Sequence, residues 1–226
     1  VVIGSGATAV TLVPALTDRG AHVSMLQRSP SYVASVPGRD ETGIKLRKWL
    51  PPRVAGEANR WRNIVRSMAI YEFSRRRPQA MRDLLHRGAV KHLGPTFPVD
   101  EHFTPEYDPW DQRLCAAPDG DFFKAVRGDH AEVVTDTIER FTADGIQLRS
   151  GRHLPADVIV TATGLNVQFL GNMDLVVDGE TVDPAARVSY RGMMLAGVPN
   201  MAFAIGYTNA SWTLKIDLVV AFVERL

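Results

Sequence analysis

The sequence has 226 residues, enough for one large domain or two small ones, and its 45% hydrophobic and 23% charged residues are typical of a folded globular protein. A formal net charge of +1 gives no overall electrostatic reason to expect a nucleic-acid partner. The single cysteine, Cys115, excludes an internal disulfide and fits a reducing compartment, so we expect a cytoplasmic protein. No apolar run is long enough to predict a transmembrane segment, and the six scattered histidines predict no metal site.

The chain opens on an apolar strand, predicted at 1–3, that leads directly into a glycine-rich turn. The turn reads GSGATA and fits the G-x-G-x-x-G/A pattern of dinucleotide-binding folds. In that pattern the first glycine allows the tight turn, the second lets the backbone approach a pyrophosphate, and the last small residue lets helix and strand pack closely. A bare tight turn is the alternative interpretation. The predicted nucleotide contacts here are Gly4, Ser5, Gly6, Ala7, Thr8 and Ala9.

The residues after the turn predict which nucleotide is bound. Apolar residues at helical spacing predict a helix that runs to Gly20, with Pro14 inside it, and a second strand follows from His22 to Gln27. An acidic residue at the end of that strand would bind the ribose hydroxyls of NAD. Here Arg28 and Ser29 follow instead, and a guanidinium can bind a 2′-phosphate through two hydrogen bonds. The residues therefore predict NADP(H), unless Arg28 is simply a solvated surface side chain.

Between about 38 and 109 the sequence predicts a helical insertion in the nucleotide domain. Apolar residues at helical spacing between 61 and 68 alternate with arginines, and a second helix is predicted from 79 to 92. The arginine run at 75–77 is interpreted as a solvated helix end rather than a membrane-binding patch. An aromatic, proline-containing loop at 108–115 ends this region.

The rest of the chain predicts one short helix that begins near Asp121, several strands and a final helix. A hairpin turn is predicted at Asp144 and Gly145. A last strand at 201–205 precedes a helix that Ser211 would cap. The side chains of this helix predicted to face a core are Leu214, Leu218, Phe222 and Val223. The strands predicted before them are 130–135, 138–141, 146–148 and a buried run at 158–161.

These motifs together resemble the flavin-containing monooxygenases and, among them, the Baeyer–Villiger class. The resemblance covers nearly the whole chain and rests on the stretches VVIGSGATAV, LQRSP, PWDQRLC, ATG and GYTNASWTLK. It implies an α/β fold with a Rossmann-like NADP-binding domain at 1–161, which carries the helical insertion, and a partial FAD-binding domain at 162–226. In that family a first glycine fingerprint, which binds FAD, and an F-x-G-x-x-x-H signature precede the NADP domain. We therefore expect the chain to be a fragment that lacks this N-terminal FAD-binding part.

The resemblance also implies a reaction. NADPH would reduce FAD, the reduced flavin would activate O₂, and one oxygen atom would enter a ketone or a soft sulfur or nitrogen atom. Arg113 matches the family's catalytic arginine, and a permanently positive side chain suits a negatively charged oxygenated flavin. A structural ion-pair partner is the other interpretation of Arg113. Many relatives carry lysine where this sequence has Gln112, which we keep as a predicted nucleotide contact. The segments that the resemblance places along the flavin contribute Thr163, Gly164, Tyr207 and Asn209. A plain turn between a strand and a helix is the other interpretation of the segment that holds Tyr207 and Asn209.

Two other functions stay open at this point. A flavoprotein reductase that uses NADPH would only move hydride, and a disulfide reductase would need a redox cysteine pair outside this sequence. A non-catalytic NADP-binding remnant would bind the nucleotide without turnover. The monooxygenase prediction names as partners a small ketone or sulfide substrate and O₂.

Overall fold

The structure is a computed structural model, and it describes residues 1–112, 114–207 and 212–226. Two units, Val1–Gly164 and Leu165–Leu226, make up the chain. The helices are α1 (Ala7–Thr17), α2 (Glu41–Trp49), α3 (Pro52–Arg76), α4 (Pro78–Leu93), α5 (Val99–Phe103), α6 (Asp121–Arg127) and α7 (Thr213–Val223). The strands of the first unit are β1 (Val2–Ile3), β2 (Val23–Gln27), β3 (Val33–Val36), β4 (Cys115–Pro118), β5 (Ala131–Thr135), β6 (Ile138–Thr142), β7 (Gly145–Leu148), β8 (His153–Pro155) and β9 (Val160–Thr161). Those of the second unit are β10 (Leu175–Val177), β11 (Glu180–Val182), β12 (Ser189–Tyr190) and β13 (Met194–Leu195).

A four-stranded parallel sheet in the order β5-β2-β1-β9 forms the centre of the first unit. Val2 is opposite Met25 on one side and opposite Val160 on the other. Both faces of these inner strands are covered, and Val2, Met25 and Leu26 are each only 1% exposed. The predicted α/β class with a parallel sheet is confirmed. The assignment of the two units to NADP-binding and FAD-binding domains stays a prediction.

Helix α1 packs one side of its surface against this sheet. Its buried residues are Ala9, Val10, Val13 and Pro14. Pro14 lies inside the helix, as the sequence requires, where its ring removes one backbone donor. The chain leaves the helix through Gly20, whose φ of +82° lies in the region that glycine adopts most readily.

The predicted helical insertion contains helices α2 to α5, and it is bounded by the paired strands β3 and β4. These strands are parallel neighbours, with Val33 opposite Cys115, so the chain leaves and re-enters the unit side by side. The helix predicted at 79–92 is found as α4, and the apolar residues at 61–68 lie within α3. In this chain that apolar side of α3 is largely open to solvent, since Trp61 is 62% exposed and Val65 is 61% exposed.

The run predicted as a buried strand at 158–161 is only partly a strand and is not buried. The strand β9 covers Val160 and Thr161 alone, and Val158 is 67% exposed. The physical reason is the position of β9 at the edge of the sheet. Only one side of β9 pairs with a neighbouring strand, which is β1. A continuous apolar run does not by itself distinguish an inner strand from an edge strand.

Two predictions for the second unit are also wrong. Residues 201–205 do not form a strand; one bond from the Phe203 amide to the Met193 carbonyl, 2.7 Å long, does not build a strand ladder. Among the α7 side chains that the structure describes, Val219 is buried at 4% exposure, whereas two of the predicted core residues, Leu218 and Val223, are 53% and 38% exposed. The predicted cap Ser211 lies outside the described residues. Among the helices that the structure describes, none is long and apolar enough to cross a membrane.

Candidate nucleotide site

The turn after β1 requires glycine at its first position. Gly4 has a φ of +126°, and a Cβ built there would lie 2.3 Å from the carbonyl oxygen of Ala162. The Gly4 amide donates a 2.8 Å hydrogen bond to the Leu26 carbonyl. The turn therefore packs directly against the backbone of the neighbouring strands, with no room for a side chain.

The second glycine opens the N-terminus of α1 to solvent. Gly6 is the N-cap in an extended conformation, and nothing lies within 4 Å of the position a Cβ would take. Within the described part of the chain no side chain caps this helix, and its first turn holds no acidic residue. Ala7 and Thr8 are exposed, whereas Ala9 is completely buried against the sheet. The uncapped N–H groups and the positive end of the helix dipole suit an anion such as a phosphate.

Arg28 lies at the same edge of the sheet as this turn. Parallel strands end at one edge, and the Gly4 amide bond to Leu26 sets the end of β2 beside the turn. Arg28 and Ser29 follow β2 and are both exposed. The Arg28 guanidinium makes no hydrogen bond or ion pair with any residue that the structure describes. Its charge is therefore available to a ligand.

A buried polar cluster fixes the end of β2 just before Arg28. The side-chain amide of Gln27, 2% exposed, donates 2.8 Å hydrogen bonds to the His102 carbonyl and to the Thr135 hydroxyl oxygen. The same hydroxyl lies 2.8 Å from His102 Nδ1. Burial lowers the pKa of His102, with a smaller opposing effect from the Glu101 carboxylate. The cluster connects β2, β5 and α5 next to the predicted phosphate-binding residue.

The predicted flavin contacts of the first unit lie beyond the end of β9. The Ala162 amide donates a 2.7 Å hydrogen bond to the Ile3 carbonyl, so β9 continues alongside β1 up to the glycine turn. Thr163 and Gly164 come next and are exposed, and Gly164 has a φ of +91°. The structure thus brings both residues to the edge that holds Gly4.

The segment around the predicted catalytic residue also meets the glycine turn. The Cys115 thiol donates to the Ser5 carbonyl over 3.7 Å, and its amide donates to the Tyr32 carbonyl over 2.9 Å. The Ser5 hydroxyl shares a 2.7 Å hydrogen bond with Ser31. Gln112 is exposed, and Arg113 lies outside the described residues.

Charged side chains of the insertion hold the loop at 108–112. Arg75 of α3 lies 2.5 Å from the Asp111 carboxylate, and Arg82 of α4 lies 2.7 Å from Asp108. The pKa values of both arginines are raised, chiefly by these hydrogen bonds. Sequence reasoning missed both pairs because exposed charges far apart in the chain leave no local pattern.

Trp110, inside this loop, has a backbone conformation that residues other than glycine rarely adopt. Its φ is +75°, and its indole N–H is buried with no hydrogen-bond partner among the described residues. A strained backbone of this kind costs about 1–3 kcal/mol and persists only where the surroundings enforce it. The Tyr71 ring of α3 packs edge-on against Trp110, with 5.9 Å between centroids.

The remaining predicted contacts belong to the second unit. Tyr207 is 44% exposed, and Asn209 lies outside the described residues. In the part of the chain that the structure describes, no group of three histidine, cysteine or acidic residues could hold a metal ion.

Compared with known proteins, the chain is similar along its whole length to one segment of proteins named FAD-containing or FAD-binding monooxygenases. Over the full length of the chain it is 57% identical to the FAD-containing monooxygenase EthA of Mycobacterium tuberculosis. The chain spans 46% of that relative, so it corresponds to about half of the curated protein. No protein-family model matches the sequence.

Solved structures share the fold of this chain. The open crystal structure of cyclohexanone monooxygenase matches 100% of this chain and 54% of its own length, with a TM-score of 0.67 and 16% identity. OTEMO in complex with FAD and NADP matches 99% of this chain and 51% of its own length, with a TM-score of 0.64 and 19% identity. Similarity at this level of identity establishes the fold alone.

Proposed function

We propose that the complete protein carrying this chain is a monooxygenase that uses NADPH and FAD to insert one oxygen atom from O₂ into a ketone, or to oxygenate a sulfur or nitrogen compound. The identity with a FAD-containing monooxygenase over the whole chain supports the class. The observation that carries the nucleotide assignment is a helix N-terminus without a side-chain cap, at the sheet edge where Arg28 has no partner among the described residues.

The residues present fit NADPH. The open space at Gly6 would admit a pyrophosphate to the uncapped amides of α1, and Arg28 would bind the 2′-phosphate. A hydrogen bond to a charged group contributes about 1.5–3 kcal/mol, which corresponds to roughly 10–150-fold in affinity. We therefore propose that Arg28 sets the preference for NADPH over NADH, with Ser29 and Gln112 as further nucleotide contacts.

When bound, FAD would supply the redox chemistry between NADPH and O₂. Thr163 and Gly164 would lie along it, together with Tyr207 and Asn209. Arg113 would supply a positive charge at every working pH, because a guanidinium does not lose its proton in proteins. Such a preorganised charge stabilises negative charge that develops on oxygen during the reaction. Cytoplasmic localisation stays a prediction.

Isotope labelling tests this function. The complete protein would be incubated with NADPH, FAD, a cyclic ketone or an aryl sulfide, and ¹⁸O₂. We expect one ¹⁸O atom in the ester or sulfoxide and faster turnover with NADPH than with NADH. NADPH oxidation without label in any organic product would indicate a reductase. Nucleotide binding without NADPH oxidation would indicate a non-catalytic remnant, and either result overturns the proposal.

A further inference from the structure

The loop at 108–112 is held from two different helices of the insertion. Arg75, near the end of α3, pairs with Asp111, and Arg82, in α4, pairs with Asp108. Arg82 also donates to the Glu106 carbonyl over 3.3 Å. The two pairs lie on either side of Trp110, the residue whose backbone is strained.

We propose that Arg75 and Arg82 are positioning residues, which hold this loop so that its last residue, Gln112, is presented to the nucleotide turn. The expected effect on oxygenation rests on the proposed function. The positioning role rests on the ion pairs and on the Cys115–Ser5 contact for its geometry.

The exposure of these pairs indicates a local role. The side chains of Arg75 and Asp111 are each 46% exposed, and those of Arg82 and Asp108 are 32% and 42% exposed. Ion pairs this exposed contribute little to global stability. Their removal should therefore loosen the loop without unfolding the protein. Local opening of a strained segment needs much less free energy than global unfolding.

The chain offers a matched control on the same helix. Arg76 pairs over 3.3 Å with Glu72, one turn earlier in α3, and no hydrogen bond or ion pair joins it to the described residues of the loop. Arg75→Ala and Arg82→Ala are expected to lower oxygenated product per NADPH consumed by about five-fold or more, with hydrogen peroxide as the other product. Arg76→Ala should keep the parental coupling, which is the ratio of oxygenated product formed to NADPH consumed. All three variants should unfold at the parental temperature.

Lysine variants distinguish a role in positioning the loop from an effect of positive charge alone. Arg75→Lys should regain most of the coupling, because Arg75 makes one contact to a single carboxylate oxygen. Arg82→Lys should regain less, because an ammonium cannot reproduce the planar set of bonds to Asp108 and Glu106. Equal coupling in Arg75→Ala, Arg82→Ala and Arg76→Ala would overturn the proposal.

Hydrogen–deuterium exchange gives a readout that does not depend on the reaction. Peptides covering 105–112 should exchange at least three-fold faster in Arg75→Ala and Arg82→Ala than in the parent or in Arg76→Ala. If the parent makes no oxygenated product, the proposed function fails, and the exchange result still decides whether the arginines hold the loop. Unchanged exchange in both variants refutes the positioning role, whatever the activity.

Discussion

Replacing Gly4 by alanine should damage the fold, whereas the same change at Gly6 should not. At Gly4 the new Cβ would lie 2.3 Å from the Ala162 carbonyl oxygen, so that backbone must move by roughly 1 Å to reach an ordinary contact distance. The movement disturbs two hydrogen bonds, from Gly4 to Leu26 at 2.8 Å and from Ala162 to Ile3 at 2.7 Å. With the strain of a positive φ added, we expect a loss of about 2–5 kcal/mol.

Calorimetric unfolding of the complete protein measures this loss. For domains of this size 1 kcal/mol lowers the unfolding temperature by roughly 2–4 °C, so Gly4→Ala should unfold about 4–20 °C lower. Gly6→Ala is the matched control. Its φ is −81° and its Cβ would meet nothing within 4 Å, so stability should change by less than about 1 kcal/mol while NADPH affinity falls. A Gly4→Ala protein that unfolds within about 2 °C of the parent would refute the reasoning.

Four further predictions concern single residues and the isolated chain. Arg28→Ala should raise the Michaelis constant for NADPH by roughly 10–150-fold and leave that for NADH nearly unchanged; an equal loss with both cofactors contradicts the assignment. Arg113→Ala should cut ester formation by about 10²–10³-fold while stopped-flow flavin reduction persists; a normal ester yield would make Arg113 a structural residue. Burial lowers the pKa of folded His102, so the unfolded chain takes up the proton first, and stability should fall as pH drops through about 6.5. His102→Gln should flatten that part of the curve of unfolding temperature against pH, and an unchanged slope would exclude His102 as its source. Residues 1–226 expressed alone should purify without stoichiometric flavin, and a yellow protein with one bound FAD per chain would contradict this.

Local patterns in the sequence predicted the elements around the glycine turn. Small residues at 4, 6 and 9 and the apolar spacing after them define the turn and α1, because these choices depend only on neighbours in the chain. The end of β2 was also placed correctly, with Arg28 directly after it.

The errors and omissions have a different physical origin, since they concern partners that are distant in the chain. The continuous apolar run at 201–205 fits a strand, but a strand needs a ladder of hydrogen bonds that the pattern cannot supply. The parallel pair β3–β4, which encloses the insertion, joins Val33 to Cys115 and could not be inferred from either segment. The pair of Arg75 with Asp111 has the same character, because residue type alone does not say which exposed carboxylate an arginine meets.

The buried Gln27 has a consequence for how this protein can change. Its two hydrogen bonds anchor the strand end, while the neighbouring Arg28 is exposed and pairs with no described residue. Under the proposed role of Arg28, the residue that maintains the fold and the residue that selects the cofactor are adjacent but separate side chains. Substitutions at position 28 should therefore change the affinity for the nucleotide at little risk to the scaffold, provided that position 27 is left alone.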